Sequence, residues 1–347
     1  MEQKVLRVGT AAVVFALILR LLSGVNIVNA LQAVVTPEVA AWMILLQTGR
    51  VVRPSDLVFT PNPTEPTGET GPNPTEPPRP TEPSVPPAPT EPMKPQPVLP
   101  TFSPGQLEEI RINCGFSYSA DLAALLTKPL AWDLTGDEPT VLIVHSHGSE
   151  SFTAPGEYEE SSPYHTLDTN HNMISVGAHL ARLLEAGGIR VIQDTAIHDA
   201  QSYSAAYYNS RKSVAEYLAE YPSIRLVLDL HRDAIEDANG NQIAQTVFSN
   251  GTVLAPLMLV VGTDYSGYTH PQWQENLALA LKLQTQLESV CPGICRDLSL
   301  RSDRFNQDLS TGALLVEVGA SGNSRQQALR AVEMLAQGIL SLAYGSQ

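Results

Sequence analysis

The stretch Val141-Leu-Ile-Val-His-Ser-His-Gly-Ser-Glu150 decides the fold class more than any other part of the sequence. Its four apolar residues are typical of a strand that is buried on both faces, and polar residues follow them at once. The same order, apolar and then polar, recurs at 226–233 and 314–323, where it includes His231 and Glu317. Because the ends of parallel strands open on one edge of a sheet, we expect these polar residues to converge there.

Strands and helices alternate on either side of these three stretches. The predicted strands are 139–145, 189–193, 224–230, 257–261 and 313–318, and the predicted helices are 170–186, 202–219, 273–290 and 324–342. This alternation is typical of the α/β class, and it predicts a mostly parallel, twisted sheet with helices on both faces.

The composition excludes several classes of protein. The formal net charge is −15, from 21 Lys and Arg against 36 Asp and Glu, and only 6% of the residues are aromatic. Proteins that bind nucleic acid need clustered basic side chains or stacking aromatic ones, so no nucleic-acid partner is expected. Three cysteines make neither a closed disulfide framework nor a four-thiolate metal site. No Gly-x-Ser-x-Gly elbow surrounds the serines near the histidines, which argues against a serine hydrolase.

Residues 1–53 have the features of a membrane anchor. They carry a net charge of +3, and an apolar run at 8–19 is preceded by basic residues and followed by Arg20 and more apolar sequence. We expect a single-pass anchor that leaves the C-terminal domain on the extracytoplasmic side of the cell membrane, facing the cell wall. Cleavage as a signal peptide, after a small residue such as Ala30, is the alternative.

Residues 54–100 are predicted to form a disordered linker rich in Pro, Thr and Glu. They hold 17 of the 27 prolines. The tetrapeptide Pro-Thr-Glu-Pro recurs at 63–66, 74–77, 80–83 and 89–92. Such sequence favours polyproline II, with a reach on the order of 145 Å when extended, and we interpret it as a spacer rather than as a ligand for proline-binding modules. Residues 101–138 are then a pre-domain segment, and residues 139–347 are the catalytic domain.

Two histidines and a glutamate at the predicted sheet edge form a candidate metal site. A catalytic zinc is usually held by such a set and keeps one position open for water. His147 and Glu150 lie close together after the first strand, and His231 ends another strand. We therefore predict that His147, Glu150 and His231 bind Zn²⁺. Side chains alternate along a strand, so His145 is an alternative to His147. The reserve ligands are Asp168 and His171.

Glu317 is the predicted proton-transfer residue. It lies at the end of an apolar strand, and a zinc hydrolase needs a group that takes a proton from the attacking water. Arg232 is assigned to the catalytic set with it, and a purely structural ion pair between Glu317 and Arg232 is the alternative. Either Asp229 or Asp233 could orient a ligand imidazole.

Several motifs, taken in chain order, resemble the stage II sporulation protein P family. They are His145-Ser-His-Gly-Ser-Glu150, Asn172, Val176-Gly177, Tyr208-Asn-Ser-Arg211, Asp229-Leu-His-Arg-Asp233, Asn306-Gln307 and Glu317-Val-Gly319. The resemblance runs from about residue 139 to 343. It implies a zinc-dependent cell-wall hydrolase of the engulfment machinery in endospore-forming bacteria, with a fold like that of N-acetylmuramoyl-L-alanine amidases and zinc carboxypeptidases.

The resemblance also implies roles for individual residues. Glu317-Val-Gly-Ala-Ser-Gly-Asn323 is similar to the amidase motif that contains the catalytic glutamate. His147 and His231 resemble the first and second metal histidines of the amidases. Their metal glutamate has no match in Leu167-Asp-Thr-Asn170, so Glu150 is chosen for its spacing, which resembles that of zinc carboxypeptidases.

The predicted function is hydrolysis of peptidoglycan in the septal wall during sporulation. The family resemblance implies cleavage of the amide between muramic acid and the stem peptide, and of peptide cross-links. It implies the lytic transglycosylase stage II sporulation protein D and the membrane protein stage II sporulation protein M as partners. The alternative function is that of a non-catalytic, membrane-tethered scaffold that binds the cell wall.

Overall fold

A seven-stranded sheet forms the centre of the computed structural model, which describes residues 100–130, 133–153 and 157–345. Its strands are β1 (Ile112–Cys114), β2 (Val141–Val144), β3 (Val191–Gln193), β4 (Leu226–Asp233), β7 (Leu257–Gly262), β8 (Leu298–Arg301) and β9 (Ala313–Ala320). They lie in the order β1-β8-β7-β9-β4-β2-β3. A separate hairpin consists of β5 (Val247–Ser249) and β6 (Thr252–Leu254).

Five helices within the described residues cover the sheet. They are α1 (Leu122–Thr127), α2 (Met173–Ala186), α3 (Ala206–Glu220), α4 (Trp273–Val290) and α5 (Arg325–Tyr344), and short 3₁₀ helices span Pro104–Glu109, Tyr203–Ala205 and Gln307–Leu309. The side chain of Asn172 caps α2 by accepting a hydrogen bond from Ile174 N, and Ser324 opens α5 with a capping box. These caps satisfy backbone N–H groups that have no partner inside the helix.

Helices pack on both faces of the sheet, as the sequence predicts. Val141 and Ile143 of β2 belong to the large apolar core that also contains the buried sides of α2, α4 and α5. Leu142 and Val144 point the other way and pack with Val214 of α3. Side chains alternate along a strand, so a run of four buried apolar residues requires cover on both sides.

The three strands that end in polar residues are parallel neighbours. β4 lies between β2 and β9, with Val144 opposite Asp229 and His231 opposite Glu317. The register shifts between His231 and Asp233, which marks a bulge at the carboxyl end of β4. The expected convergence of the strand ends is therefore present.

The sheet is mostly parallel, but one pair is antiparallel. β7 runs against β9, with Leu257 opposite Val318, so β1, β8 and β7 run against the other four strands. The chain passes from β4 to β7 through the small hairpin, without the helical crossover that joins parallel neighbours. β1 and β8 are not predicted from the sequence, because neither Ile112-Asn-Cys114 nor Leu298-Ser-Leu-Arg301 contains consecutive apolar residues.

The segment before residue 139 contributes to the same core. β1 is the outermost strand and pairs with β8, and α1 packs against α4. Leu126 and Leu134 are almost completely buried. This segment therefore covers one edge of the sheet and part of one face.

None of the helices in the described parts of the chain is both long and apolar enough to cross a membrane. This finding corrects the predicted localisation as a single-pass membrane protein. The predicted anchor, 1–53, and almost all of the predicted linker, 54–100, lie outside the described residues.

Candidate active site

His147 lies just after β2, in a pocket made of aromatic and acidic side chains. Its ring stacks on Tyr203 with the centroids 3.9 Å apart, and it makes a T-shaped contact with the Tyr207 ring with the centroids 5.4 Å apart. Its Nδ1 lies 3.6 Å from Asp199 Oδ2. Ser149 donates to both carboxylate oxygens of Asp199, through N at 3.1 Å and Oγ at 2.6 Å. The carboxylate beside His147 is thus held in place by the loop that carries the histidine.

His231 lies in β4 between two carboxylates. Its Nε2 is 2.9 Å from Asp229 Oδ1, and its Nδ1 is 3.4 Å from Glu150 Oε2. Burial alone would lower the pKa of His231, but Asp229 and Glu150 raise it well above its ordinary value. The centroids of the His231 and His147 rings are 5.5 Å apart. The structure therefore brings both predicted metal histidines to one place.

Glu150 and Glu317 lie beside His231 but in different environments. Burial would raise the pKa of Glu150, but His231 and Arg232 more than offset it, so its pKa lies below the usual range. For Glu317, burial dominates and raises the pKa to about 8, with Glu150 and Asp233 adding to the effect. Glu317 is half-buried as a residue, but its Oε2 is shielded from solvent and has no hydrogen-bond partner in the described chain.

The donor atoms of this cluster fit a zinc ion chemically. His147 Nδ1 and His231 Nε2 face the carboxylates of Asp199 and Asp229. The opposite nitrogen of each ring, Nε2 of His147 and Nδ1 of His231, is therefore the one left for a metal, and His231 Nδ1 lies beside Glu150. Two imidazole nitrogens and a carboxylate are a usual donor set for zinc. The side chains do not yet form a complete set of metal ligands. Within the described ranges, no three His, Cys, Asp or Glu side chains are close enough together to hold a metal ion.

Three predicted alternatives lie away from this cluster. His145 is buried on the side of α2, where Nδ1 lies 3.2 Å from Leu230 O, and burial lowers its pKa to about 4. Asp168 and His171 pair with each other at 2.8 Å near the surface. The structure does not bring them to His147 and His231.

Arg232 contacts Glu150 rather than Glu317. Its backbone N donates to Glu150 Oε2 at 3.1 Å, and Nη1 lies 3.7 Å from Oε1. Its Nε and Nη2 donate to the carbonyl groups of Ser151 and Tyr164. Arg232 therefore holds the loop after β2 against β4.

Of the two aspartates that could orient an imidazole, Asp229 is the one at the site. Ser146 donates two hydrogen bonds to Asp229, through N at 2.8 Å and through Oγ at 2.6 Å. The Asp229 carboxylate also faces His231. Asp233 instead pairs with Arg296 at 2.7 Å.

Asp199, Tyr203 and Tyr207 belong to the site and were not predicted. Tyr207 lies between the two histidine rings and Phe305, and burial raises the pKa of its hydroxyl. Asp199 and Tyr203 come from the segment between β3 and α3, and Tyr207 lies in the first turn of α3. None of the three belongs to a motif or a strand end that would single it out in the sequence.

Comparison with known proteins matches the chain to one protein family and to a curated relative from that family. The model of the family described as Stage II sporulation protein P (SpoIIP) matches residues 82–340. Stage II sporulation protein P of Bacillus subtilis (strain 168) is 27% identical over 213 residues, which are 58% of this chain and 50% of that protein. The chain thus spans about half the length of this curated relative.

Among solved structures, N-acetylmuramoyl-L-alanine amidase AmiC2 of Nostoc punctiforme is 15% identical with a TM-score of 0.36, covering 59% of this chain and 94% of that one. Amidase Ami1 of Mycobacterium smegmatis is 13% identical with a TM-score of 0.37, covering 62% of this chain and 100% of that one.

Proposed function

Because the chain belongs to the stage II sporulation protein P family, we propose that it is a zinc-dependent peptidoglycan hydrolase that acts on septal cell wall during sporulation and engulfment. The reaction proposed is that of an N-acetylmuramoyl-L-alanine amidase, with cleavage of peptide cross-links as a second activity. The observation that best supports this proposal is that His147, Glu150, His231 and Glu317 meet at one edge of the sheet.

His147, His231 and Glu150 are the residues that would hold the zinc. Two imidazoles and a carboxylate are the usual ligands of a catalytic zinc. When bound, zinc polarises the amide carbonyl and lowers the pKa of a bound water. Asp199 and Asp229 face the two histidines and orient the imidazoles, and Arg232 holds Glu150.

Glu317 is proposed to move the proton. Its ionised carboxylate takes a proton from the water that attacks the amide carbon, and it then delivers that proton to the nitrogen as the carbon–nitrogen bond breaks. A carboxyl group whose pKa is raised by burial binds such a proton more readily than an exposed one, and it can release it to a basic amine.

Replacement of Glu317 tests this function. Glu317→Gln keeps the size of the side chain but cannot carry the proton, so hydrolysis of purified peptidoglycan sacculi should fall by about 10²- to 10⁴-fold. The matched control is Glu216→Gln, which changes an exposed carboxylate on α3 and should keep full activity. The products are measured by mass spectrometry, which separates amide from cross-link cleavage. Full activity of Glu317→Gln would contradict the proposed role.

A scaffold that binds the cell wall without cleaving it is the second candidate. It is favoured by the unfinished ligand set in the described residues. A chelator should abolish hydrolysis by an amidase, whereas a scaffold should bind sacculi with or without the chelator and cleave nothing.

The proposal of a cell-wall hydrolase includes two family partners, stage II sporulation protein D and stage II sporulation protein M.

A further inference from the structure

A cavity of about 240 Å³ lies against Tyr203, the residue that stacks on His147. One side is formed by Tyr203, whose ring stacks on His147 and is nevertheless 60% exposed. The other side is the loop that contains Ser161, Ser162 and His165. A molecule in this cavity would touch the aromatic ring that covers the candidate metal ligand.

The loop that forms the far wall is held firmly in place. The backbone N of Thr166 donates to Ser149 O at 2.8 Å, and Ser151 N donates to Tyr164 O at 2.9 Å. Arg232 donates to the same Tyr164 carbonyl. Tyr164 has a φ of 59°, a conformation that costs a non-glycine residue about 1 kcal/mol or more and is kept only where surrounding contacts enforce it. The cavity is therefore preformed.

The lining combines polar and apolar groups, and its one charged side chain already has partners. Asp199 lines the cavity, but its carboxylate is already occupied by Ser149 and His147. The remaining polar groups include the hydroxyls of Ser161, Ser162 and Ser202, the amide of Gln201 and the ring of His165. Neither Lys nor Arg is among the described residues that line it. An anionic stem peptide would need basic partners, so this lining favours a neutral, hydroxyl-rich ligand.

His165 lines the cavity with its ring. Its Nδ1 lies 2.9 Å from the carbonyl of Pro163, and because a carbonyl only accepts, Nδ1 is the donor and the ring is held in place. The centroid of this ring is 6.0 Å from that of Tyr203, so the two aromatic rings stand close together in the wall. An exposed tyrosine face beside uncharged hydroxyl and amide groups matches an N-acetylated sugar.

We propose that this cavity is a saccharide subsite that receives an N-acetylated sugar of the glycan strand, with the sugar against Tyr203. The inference deepens the proposed function, because it puts the glycan on the Tyr203 side of the scissile amide and leaves the stem peptide to the opposite side. The site selects by stacking and by hydrogen bonds from the ligand's hydroxyl and acetamido groups.

Binding of a peptide-free probe tests the subsite. The full chain is titrated with the tetrasaccharide of N-acetylglucosamine by isothermal titration calorimetry, in the presence and in the absence of zinc. Tyr203→Ala should weaken binding at least tenfold, whereas Tyr203→Phe should stay within about threefold of the wild type because the ring is retained. The matched control is Tyr208→Ala, which removes a tyrosine that is 78% exposed on α3. Zinc content is measured for each variant, since Tyr203 contacts His147.

Two results would overturn the inference: a wild-type protein that does not bind the tetrasaccharide, or loss of binding that is equal for Tyr203→Ala and Tyr208→Ala. If Tyr203→Ala weakens a stem tetrapeptide instead, the cavity belongs to the peptide and the saccharide assignment is wrong. These outcomes are separate from failure of the proposed function, which would appear as zinc-loaded wild type that leaves the amide bond of sacculi uncut.

Discussion

Glu150 and Glu317 have the same functional group and lie within reach of the same histidine, but their pKa values are shifted in opposite directions. Glu150 has Arg232 and His231 as neighbours that favour its charged form. For Glu317, the neighbouring positive charges offset less of the effect of burial. The negative charge of Glu150 further disfavours the ionised form of Glu317. One carboxylate is thus suited to binding a cation and the other to carrying a proton.

At the residue level, we expect Asp199 to matter for metal affinity. Asp199→Asn removes the negative charge beside His147 Nδ1, so the affinity for zinc should fall by about 10- to 100-fold. Zinc affinity is measured by competition with a chelating dye. The matched control is Asp194→Asn, since Asp194 forms a buried pair with His198 at 2.9 Å that is separate from the cluster. Equal zinc affinities of the two variants would rule out this role for Asp199.

Packing between elements depends on one glycine in α2. A Cβ at Gly177 would clash with the ring of His145 and would lie 2.6 Å from Gln193 Nε2. Gly177 therefore lets α2 approach β2 and β3 closely. This contact fixes the His145 ring, which is why that histidine is a packing residue in the structure rather than a neighbour of His147.

We expect Gly177→Ala to destabilise the protein although alanine favours helices by about 1 kcal/mol. Overpacking costs about 1–3 kcal/mol, and a clash with the buried His145 ring belongs at the upper end of this range, so the net loss in the free energy of unfolding should approach about 2 kcal/mol. The control is Gly338→Ala in α5, where the new methyl would meet the flexible end of Leu287 and should cost less. Urea unfolding measures both, and a Gly177→Ala variant as stable as the wild type would contradict the close approach.

The contact between α1 and α4 contains a buried lysine. Lys282 is 1% exposed, and its Nζ donates to Leu125 O at 2.5 Å. Burial lowers its pKa from 10.5 to about 8, with Lys128 adding to the shift and Glu275 opposing it. Between these pH values the unfolded chain binds more protons than the folded one.

The contribution of Lys282 to the free energy of unfolding should therefore rise as the pH increases from about 8 to 10.5, by up to about 3 kcal/mol. Below pH 8 the cost of burying the ammonium is fully present. Lys282→Met removes this titration, so the difference in stability between variant and wild type should shrink or reverse as the pH rises through this range. Urea unfolding at pH 7 and pH 10 measures it, and parallel pH profiles for the two proteins would refute it.

Over the whole molecule, the segment before residue 139 closes the core. β1 covers the edge of β8, and the buried side chains of Leu126 and Leu134 fill the core beside α4. A chain that starts at residue 139 should lose several kcal/mol of stability, since each buried leucine contributes about 1.5–3 kcal/mol.

The same shortened chain should aggregate, because the edge of β8 is left unpaired. Thermal unfolding and light scattering measure the two effects. A chain that starts at residue 100 is the control and should unfold like the full-length protein. Equal melting temperatures for both shortened chains would show that the segment is dispensable.

Much of the fold follows from local patterns of apolar residues. The predicted helix at 273–290 agrees at both ends with α4, and the predicted strands match the centres of β2, β4, β7 and β9. The chain direction of β7 and the pairing of β1 with β8 could not be predicted in this way. Strand pairing depends on partners far away in the chain, and neither β1 nor β8 has the run of consecutive apolar residues that marks a buried strand.

For the candidate site, the sequence by itself determined which residue types stand at the ends of apolar strands, and so it singled out His147, Glu150, His231 and Glu317. Only the tertiary structure decided that His145 faces α2, that Arg232 pairs with Glu150, and that Asp199 and Tyr203 complete the surroundings of His147. The physical reason is that apolar periodicity reports whether a residue is buried. Which charges surround it, and hence its protonation state, depends on contacts between segments that no local pattern records.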